Sequence, residues 1–225
     1  MKVKVVKRVL DANNEIARKN REIFQKAGLI ALNLISSPGS GKTTLLEETI
    51  PALKPQKSLV IVGDLQTARD AERVQECALD VVQINTGMSC HLYANQITES
   101  LSDLPLKEAD YLFIENVGNM VCPGEFDLGE NLKVILLSIP EGDDKVAKYP
   151  TIFRAADLVL LTKSDLLSVL KFDMVRVKED IARLNANVSI LEISCQTGEG
   201  MADWLKWLKD CHQKDIGAKA KFFTE

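Results

Sequence analysis

The residues with the clearest chemical potential form a short stretch rich in glycine and serine. It reads Ser36-Ser37-Pro38-Gly39-Ser40-Gly41-Lys42-Thr43 and lies between a predicted buried strand and a predicted helix, the context that a phosphate-binding loop (P-loop) requires. Gly39 and Gly41 let the backbone turn its N–H groups toward phosphate oxygens, and the following helix adds its positive dipole end. Lys42 is predicted to contact the β- and γ-phosphates, and the Thr43 hydroxyl to bind Mg²⁺.

Neighbouring residues complete this loop. Ser40 lies inside it, and Thr44 follows it; both are predicted to bind the nucleotide, Thr44 near the α-phosphate. Ser36 stands where the general motif has its first glycine, so the start of the loop is expected to depart from the common geometry. The alternative, a glycine- and serine-rich turn that precedes a lysine by chance, is disfavoured by the flanking strand and helix.

Two acidic residues, Asp64 and Glu115, come directly after other predicted strands. The carboxyl ends of parallel strands meet at one edge of a sheet, so both carboxylates are expected beside the phosphates, where oxygen ligands suit Mg²⁺. Together with Lys42 and Thr43 they are the predicted catalytic residues. For either carboxylate alone, a solvated loop position is the alternative.

A later loop, Thr162-Lys163-Ser164-Asp165, resembles the guanine-specificity motif of GTPases, which is normally Asn-Lys-x-Asp. The carboxylate of Asp165 can accept hydrogen bonds from guanine N1–H and the 2-amino group, whereas adenine lacks both donors in that arrangement. The stem of Lys163 can lie over the base, and Thr162 replaces the usual asparagine. After another strand, Ser194-Cys195 resembles the loop whose backbone N–H contacts guanine O6. The combination favours GTP over ATP, although a tetrapeptide of this kind also occurs by chance.

A separate group of residues suits a softer metal. Cys90-His91 follows a predicted turn and is expected to open a helix, and Cys122 lies just past Glu115, in the segment expected to face the γ-phosphate. Two thiolates and an imidazole suit Zn²⁺, Ni²⁺ or Cu⁺ and not Mg²⁺. Water or a symmetric partner chain would complete the ligand set. The spacing matches no closed zinc-finger pattern, so buried cysteines with a surface histidine are an equal alternative.

Apolar segments and helical stretches alternate along the chain. An amphipathic helix is predicted from about Val5 to Ala27, ended by Gly28, and it either docks on the domain or extends toward a partner. Strands that alternate with helices imply a mainly parallel sheet covered on both faces, an α/β fold. The predicted strands are Leu29–Ile35, Ser58–Val62, Asp80–Ile84, Tyr111–Ile114, Val134–Ile139, Leu158–Leu161 and Val188–Ile193, and the predicted helices are Thr43–Leu53, Gln66–Ala78, Met88–Leu101 and Met201–Cys211.

Length and charge limit the remaining possibilities. The 225 residues are expected to form a single domain, with 1–28 as an N-terminal helix and 29–225 as the core. A formal net charge of -4 argues against a broad nucleic-acid or anionic-membrane surface. With no apolar run near the ~20 residues of a membrane helix and no secretory signal, a cytoplasmic protein with unpaired cysteines is expected. Cys77 and Cys195 are expected to pack in the protein, and Cys211-His212 to lie at a solvated helix end.

Taken together, the chain resembles the hydrogenase-maturation GTPase family that assists nickel insertion (HypB-type). The resemblance is carried by SSPGSGKTTL, GDLQT, NTGMSCHL, ENVGNMVCP, EGDDKVAKYP, TKSDLL and SCQTGEGM, which span nearly the whole sequence. It implies a Rossmann-like P-loop NTPase fold, slow hydrolysis of GTP to GDP, and a homodimer around the nucleotide. It also implies that Cys90, His91 and Cys122 form the family's metal site at the dimer interface, which binds nickel or zinc.

The resemblance implies partners as well: a small zinc-containing nickel chaperone and, through it, the hydrogenase large subunit. The N-terminal Cys-x-x-Cys-Gly-Cys motif or histidine-rich tract of some members is not found in this sequence, so Cys90, His91 and Cys122 are expected to be its main nickel site. Because Cys122 and Glu115 share one short segment, the GTP and GDP states are expected to hold Cys122 differently.

The catalytic assistance and the roles of two lysines and three leucines are less clearly indicated by the sequence. No water-positioning glutamine or arginine finger is evident, so intrinsic turnover is expected to be slow unless a partner assists. Lys145 and Lys148 either act across a dimer or belong to a solvated charge run. Leu166, Leu167 and Leu170 either form a dimer patch or pack in the core.

Three competing functions are kept. A sister GTPase that serves urease or a cobalamin enzyme would share the nucleotide site, and a pull-down against the maturation machineries separates it from a hydrogenase factor. A small-molecule P-loop kinase would prefer ATP and use Asp64 on a substrate hydroxyl. A non-catalytic metal-binding dimer would bind metal normally and hydrolyse nothing.

Overall fold

The computed structural model describes the backbone of residues 2–65 and 68–222 and the side chains of residues 10–65 and 68–213. Seven parallel strands form one sheet at its centre. The strands are β1 (Ile30–Ser36), β2 (Ser58–Asp64), β3 (Asp80–Asn85), β4 (Tyr111–Glu115), β5 (Leu132–Ser138), β6 (Leu158–Thr162) and β7 (Ser189–Ile193). The α-helices are α1 (Lys2–Ala27), α2 (Lys42–Ala52), α3 (Arg69–Gln75), α4 (Ala94–Ser100), α5 (Lys145–Lys148), α6 (Pro150–Arg154), α7 (Met174–Leu184) and α8 (Met201–Phe222).

The strand order is β3-β2-β4-β1-β5-β6-β7, with β1 in the middle. Every residue of β1, β4 and β6 is buried, as expected of parallel strands that helices cover on both faces. The register pairs Leu34 of β1 with Glu115 of β4. The segments that follow β1 and β4 therefore leave the sheet next to each other, at its carboxyl edge. The prediction of a mainly parallel, Rossmann-like α/β sheet with an N-terminal helix is confirmed.

Apolar side chains fix which helices lie on each face. On one face, residues of α2, α3 and α8 pack with the inward positions of the strands, and the buried Trp204 of α8 donates from Nε1 to Thr49 Oγ1 of α2 at 2.8 Å. On the other face, α1 and α4 cover the β2–β4–β1 half, and α6 and α7 cover the β5–β6 half. No helix in the described part of the chain is long and apolar enough to cross a membrane.

The N-terminal helix α1 docks on the domain through two buried asparagines. Asn13 donates to the carbonyl of Asp127 at 2.7 Å and accepts from the N–H of Ala94 at 3.0 Å. Asn20 donates to the carbonyls of Ala94 at 2.9 Å and Leu128 at 3.0 Å, and accepts from Thr98 Oγ1 at 2.6 Å. Of the two predictions for this helix, the docked position holds for the residues whose side chains are described.

The largest error of the sequence analysis concerns the segment 86–93. A helix was predicted from Met88 to Leu101, but α4 begins only at Ala94. The preceding residues form a hydroxyl-stabilised loop, in which Thr86 Oγ1 donates to the Ser89 carbonyl at 2.8 Å and Ser89 Oγ donates to the His91 carbonyl at 2.9 Å. Such side chains compete with the helical hydrogen bonds of the backbone. Cys90 and His91 consequently lie in a loop and not in a helix.

Other boundaries also differ. The helix α7 was not predicted, although Asp173 caps it by accepting from the N–H of Arg176 at 3.0 Å. The last helix runs on to Phe222, so Cys211-His212 lies within it and not at a solvated end; the His212 ring lies 5.0 Å from that of Tyr111. Of the predicted helix Gln66–Ala78, residues 69–75 are helical, and Gln66 and Thr67 lie outside the described residues.

We predict that Asn20→Ala lowers the free energy of unfolding by about 2 kcal/mol, because it removes three hydrogen bonds of a buried amide, among them the one that Asn20 donates to the Leu128 carbonyl. The exposed Asn14 on the same helix provides the matched control, and Asn14→Ala should change stability by less than about 0.5 kcal/mol. Urea unfolding followed by tryptophan fluorescence measures both. Equal losses in the two variants would show that the docking of α1 does not depend on Asn20.

Candidate nucleotide and metal sites

The P-loop connects β1 to α2 at the middle of the carboxyl edge. Gly41 precedes the helix with a φ of 99°, which lies in the left-handed region that favours glycine. Lys42 is buried, and its Nζ donates to Ser36 Oγ at 3.1 Å. The residue that replaces the first glycine of the motif thus supplies an acceptor for the lysine. Burial lowers the pKa of Lys42, while the carboxylates around it, Glu115 first, act in the opposite direction.

A carboxylate that the sequence analysis missed braces this loop. Glu141 Oε2 accepts from Ser40 Oγ at 2.7 Å, from Ser138 N at 2.9 Å and from Ser138 Oγ at 2.8 Å. Burial raises the pKa of Glu141, but hydrogen bonds with Ser37, Ser40 and Ser138 outweigh this effect and hold the pKa below its ordinary value. The spacing Ser138-x-x-Glu141 is a capping box, and it was the available signal.

The predicted Mg²⁺ ligands face the phosphate part of the cleft. Thr43 Oγ1 donates to Glu115 Oε1 at 2.8 Å, and Thr43, Asp64 and Glu115 line one cavity of about 380 Å³. Among the described residues, Oε2 of Glu115 is buried without a hydrogen-bond partner. Burial raises the pKa of Glu115 to about 7, although Lys42 and Thr43 act to lower it. An all-oxygen donor set with an unsatisfied carboxylate oxygen fits a hard divalent cation.

Two further side chains of this cavity were not identified from the sequence. Asp70 and Arg73, both on α3, line it together with Asp64. The Arg73 guanidinium donates to Thr44 Oγ1 at 3.0 Å and to both carboxylate oxygens of Glu47. Arg73 is therefore held at the side of the P-loop. The charged helix Arg69–Gln75 offered no motif that would single it out.

The predicted base-reading residues line an adjoining cavity of about 260 Å³, which shares Gly41, Thr44 and Lys163 with the first. Thr162 Oγ1 donates to the carbonyl of Ser40 at 2.7 Å, so the threonine ties the two loops together in place of the usual asparagine. Lys163 Nζ donates to the Gly39 carbonyl at 2.7 Å.

The acidic residue of this cavity is held in position by the next loop. Ser194 Oγ donates to Asp165 Oδ1 at 2.6 Å, and Cys195 lies beside them in the cavity wall. Burial raises the pKa of the Cys195 thiol to about 11. Cys195 is therefore a neutral thiol, as expected of a packing residue.

The three predicted ligands for a softer metal are brought together within one chain. Cys90 Sγ lies 3.0 Å from Cys122 Sγ and 3.7 Å from His91 Nδ1, and the ligand atoms all lie within 4.8 Å of one another. The first two residues belong to the loop after β3, and Cys122 belongs to the segment after β4. Two sulfur atoms and one imidazole leave a further coordination position open.

Aromatic residues that the sequence analysis missed hold the His91 ring. Its centroid lies 4.0 Å from that of Phe126, in a stacked arrangement, and 4.4 Å from that of Tyr93. Burial lowers the pKa of His91, so the imidazole is neutral near pH 7 and has a lone pair for a metal. Both aromatics lie within a few residues of a predicted ligand, but their spacing alone does not show that they meet.

Of the remaining candidates, Leu166 lines the cavity of about 260 Å³, and the others lie outside both cavities. Lys148 pairs with Asp144, and Lys145 Nζ lies 5.7 Å above the Tyr149 ring. Leu166 and Leu167 are half-buried, whereas Leu170 is exposed together with its neighbour Val169. The solvent-exposed part of this apolar patch is therefore its end at Val169 and Leu170.

Comparison with known proteins gives consistent matches. Residues 30–192 match the CobW/HypB/UreG nucleotide-binding domain. Over 202 residues the chain is 50% identical to the hydrogenase maturation factor HypB of Escherichia coli K12, which covers 89% of this chain and 70% of that protein. It is 44% identical over 225 residues to the hydrogenase/urease maturation factor HypB of Helicobacter pylori, covering 98% and 92% of the two chains. The crystal structure of HypB from Helicobacter pylori in complex with nickel superposes with a TM-score of 0.87 at 41% identity, covering 91% and 96%.

The raised pKa of Glu115 predicts a pH dependence of stability. Without nucleotide or divalent cations, its carboxyl is protonated in the folded protein up to about pH 7 but ionises near 4.5 in the unfolded chain. The folded state then holds the extra proton, so the free energy of unfolding falls as pH rises from about 4.5 to 7, by up to about 1.4 kcal/mol per pH unit.

Urea unfolding at several pH values in a chelating buffer tests this dependence. Glu115→Gln should flatten the slope, because the amide does not titrate. The exposed Glu48 on α2 serves as control, and Glu48→Gln should keep the slope of the wild type. An unchanged slope in Glu115→Gln would mean that this carboxyl is already ionised in the folded protein.

Proposed function

The chain belongs to the CobW/HypB/UreG family and, within it, to the HypB hydrogenase maturation factors, and on this premise we propose that it is a GTP-hydrolysing metallochaperone for nickel insertion into nickel–iron hydrogenase. One observation carries the proposal: the cluster of Cys90, His91 and Cys122 includes a ligand on the same segment that leaves Glu115 at the phosphate cavity. A nucleotide site and a thiolate site that share one backbone segment suit a protein that exchanges metal in step with nucleotide.

The triphosphate would be held by the P-loop. Its backbone N–H groups, the N-terminus of α2 and the ammonium of Lys42 provide positive charge in a buried place, and such fixed charges stabilise the charge that develops on a transferred phosphoryl group. Glu141 keeps Ser40 in position and Thr162 holds the Ser40 carbonyl. The loop is thereby preorganised for phosphate, and its donors need not rearrange during hydrolysis.

Mg²⁺ would be held by Thr43, Asp64 and Glu115. When bound, the ion neutralises charge on the β- and γ-phosphate oxygens. The unsatisfied Oε2 of Glu115 supports this assignment, since a buried acceptor without a partner is costly. The protein's own part is to present an ionised carboxylate and to release Thr43 Oγ1 from its hydrogen bond to Glu115.

Guanine would be recognised in the adjoining cavity. Ser194 fixes Asp165 by a 2.6 Å hydrogen bond to Oδ1, which leaves lone pairs of the carboxylate available for the N1–H and 2-amino donors of the base. The Lys163 stem would cover one face of the ring. The backbone N–H of Cys195 would contact O6.

Nickel is the proposed cargo, with zinc as the competing ion. The two thiols and the neutral imidazole form a soft, partly exposed donor set, and thiolate–imidazole sites bind both metals. The crystal structure of a relative from Helicobacter pylori contains nickel. Because the thiol of Cys90 is exposed, the ion could pass to a partner without unfolding of either loop.

Slow intrinsic turnover is part of the proposal. The Arg73 guanidinium is occupied by Glu47, and no glutamine is seen beside Glu115 in the described residues of the phosphate cavity. Acceleration would come from partners: a second copy of the chain in a homodimer, a small zinc-containing nickel chaperone, and the hydrogenase large subunit. The exposed end of the patch formed by Leu166, Leu167, Val169 and Leu170 is the candidate dimer surface.

Service to urease is the second candidate. It is favoured by the name of the Helicobacter pylori relative, a hydrogenase/urease maturation factor, with which this chain is 44% identical. The nucleotide and metal chemistry would be the same for both recipients. Capture of urease accessory proteins in place of hydrogenase factors by the nickel-loaded protein would favour this candidate.

Guanine recognition predicts a change of base preference in Asp165→Asn. An amide can donate to the 2-oxo group of xanthine but meets the 2-amino group of guanine less well, so GTP affinity should fall about a hundredfold while xanthosine triphosphate gains. Competition against a fluorescent GDP measures both affinities. The exposed Asp203 gives the control, and an Asp203→Asn variant should bind both nucleotides with the affinities of the wild type. Unchanged GTP preference in Asp165→Asn would remove Asp165 from the base site.

The metal assignment predicts that Cys122→Ala weakens nickel binding by at least about a hundredfold, because one of two thiolates is lost. Nickel and zinc affinities of both proteins should be measured with GDP and with a non-hydrolysable GTP analogue. The wild type should differ between the two nucleotides. Cys77→Ala, which removes a half-buried thiol elsewhere, is the control and should retain nickel. Normal nickel binding by Cys122→Ala would refute the site, and equal affinities of the wild type in both nucleotides would refute the coupling.

A further inference from the structure

The segment after β4 contacts the phosphate site and the metal site. We call residues 116–122 the connecting segment, since it begins next to Glu115 and ends at Cys122. Its first residues, Asn116 to Gly118, line the phosphate cavity. Gly118 lies so near the P-loop that a Cβ there would come within 2.9 Å of the Pro38 Cα. A movement at the phosphate end therefore reaches the connecting segment by direct contact.

Asn116 joins this segment to the loop that carries the other two ligands. Its side chain is buried, and Oδ1 accepts from the N–H of Val117 at 2.9 Å and from the N–H of Leu92 at 3.2 Å. Both partners are backbone donors, so the oxygen of the amide must face them. Leu92 directly follows His91, which means that the hydrogen bond holds the backbone next to the imidazole ligand.

The other end of the Asn116 amide is held as firmly. Nδ2 donates to Asn33 Oδ1 at 3.2 Å, Asn33 Nδ2 donates to Glu130 Oε1 at 3.2 Å, and Glu130 Oε2 accepts from Leu128 N at 2.7 Å. These side chains lie in the interior and form one chain of hydrogen bonds. Each member has one orientation that satisfies its neighbours, so Asn116 has little freedom to turn.

We infer that Asn116 is a positioning residue for the metal site: through Leu92 it keeps His91 near the two thiols and transmits displacement of the connecting segment to the imidazole. The inference rests on the proposed function for the identity of the metal and the nucleotide. Asn119 makes a second link of the same kind, because its Nδ2 donates to the Cys90 carbonyl at 3.1 Å. The connecting segment thus holds the backbone of the ligand loop on both sides of His91.

Asn116→Ala removes every contact of the amide. Asn116→Ser is the milder variant, since a serine hydroxyl can still accept from Val117 N but is too short to reach Leu92 N. Nickel affinity should be measured by competition with a chromophoric chelator, at saturating GDP and at saturating non-hydrolysable GTP analogue. We expect both variants to bind nickel about 10- to 100-fold more weakly, as is typical when a residue that orients a ligand is lost. The difference between the two nucleotide states should shrink at the same time.

A spectroscopic measurement separates positioning from general loss of stability. Thiolate-to-nickel charge-transfer absorption should change in the Asn116 variants because the imidazole is displaced while both thiols remain. Asn185→Ala is the matched control: Asn185 Nδ2 donates to the Ala156 carbonyl at 2.8 Å and to that of Arg154 at 3.3 Å, far along the chain from either ligand loop. It should lower the melting temperature but leave the nickel spectrum and affinity unchanged.

The outcomes distinguish this inference from the proposed function. Wild-type nickel affinity and spectrum in both Asn116 variants would overturn the inference. A wild type with equal nickel affinity in both nucleotides, together with weakened Asn116 variants, would refute the proposed coupling to nucleotide and leave the positioning role supported. A wild type that binds no nickel would refute the proposed function and the inference with it.

Discussion

The parallel pairing of β1 with β4 is the constraint on which the remaining arrangement depends. Hydrogen bonds between these two buried strands set Leu34 opposite Glu115, so the P-loop and the connecting segment leave the sheet as neighbours. The contact of Thr43 with Glu115 and the close approach of Gly118 to Pro38 both follow from this register. A shift by one residue would turn Glu115 to the opposite face of the sheet. The phosphate site and the segment that ends at Cys122 would then no longer meet.

Because of the strand order, the candidate metal, phosphate and base sites lie in a row along the carboxyl edge of the sheet. The loops after β3 and β4 carry the candidate sulfur and imidazole ligands. The carboxyl ends of β1, β2 and β4 present the predicted phosphate and Mg²⁺ ligands, and the carboxyl ends of β6 and β7 present the predicted base-reading residues. The polar chain through Asn33, Asn116 and Glu130 crosses an otherwise apolar interior to support one end of this line. Burial of such groups is unfavourable unless each finds its partner, and here the partners are the other buried side chains, backbone N–H groups and, for Glu130, the ammonium of Lys133. These hydrogen-bonded side chains specify one geometry of the loops after β3 and β4, where apolar packing alone would permit several.

Sequence reasoning predicted the sheet and the P-loop because each leaves a local signal, whereas Cys90, His91 and Cys122 were assigned to one metal site through the family resemblance and not through their spacing. Buried parallel strands are continuous apolar runs, and Lys42 and Thr43 occupy fixed places in a motif. The helix expected at Met88 was wrong because the hydroxyls of the 86–93 loop form hydrogen bonds that apolar periodicity does not reveal. Glu141 and Asn116 were missed for a different reason. Their roles arise from contacts between residues distant in the sequence, and the residue types alone look like ordinary loop polar residues.

The proposed ligand set would differ in kind from a structural metal site, and under the proposed function this difference would bear on how the metal is released. A closed site of four ligands fixes the fold and holds its ion tightly. Here the three candidate ligands come from two neighbouring loops. One sulfur belongs to the connecting segment, and the other sulfur and the imidazole belong to the loop held by Asn116 and Asn119. A small displacement of one loop relative to the other would separate Cys122 from Cys90 without disturbing the sheet beneath. The strands would then take no part in the change, and a bound nucleotide would need to displace only the short segment that lines its cavity.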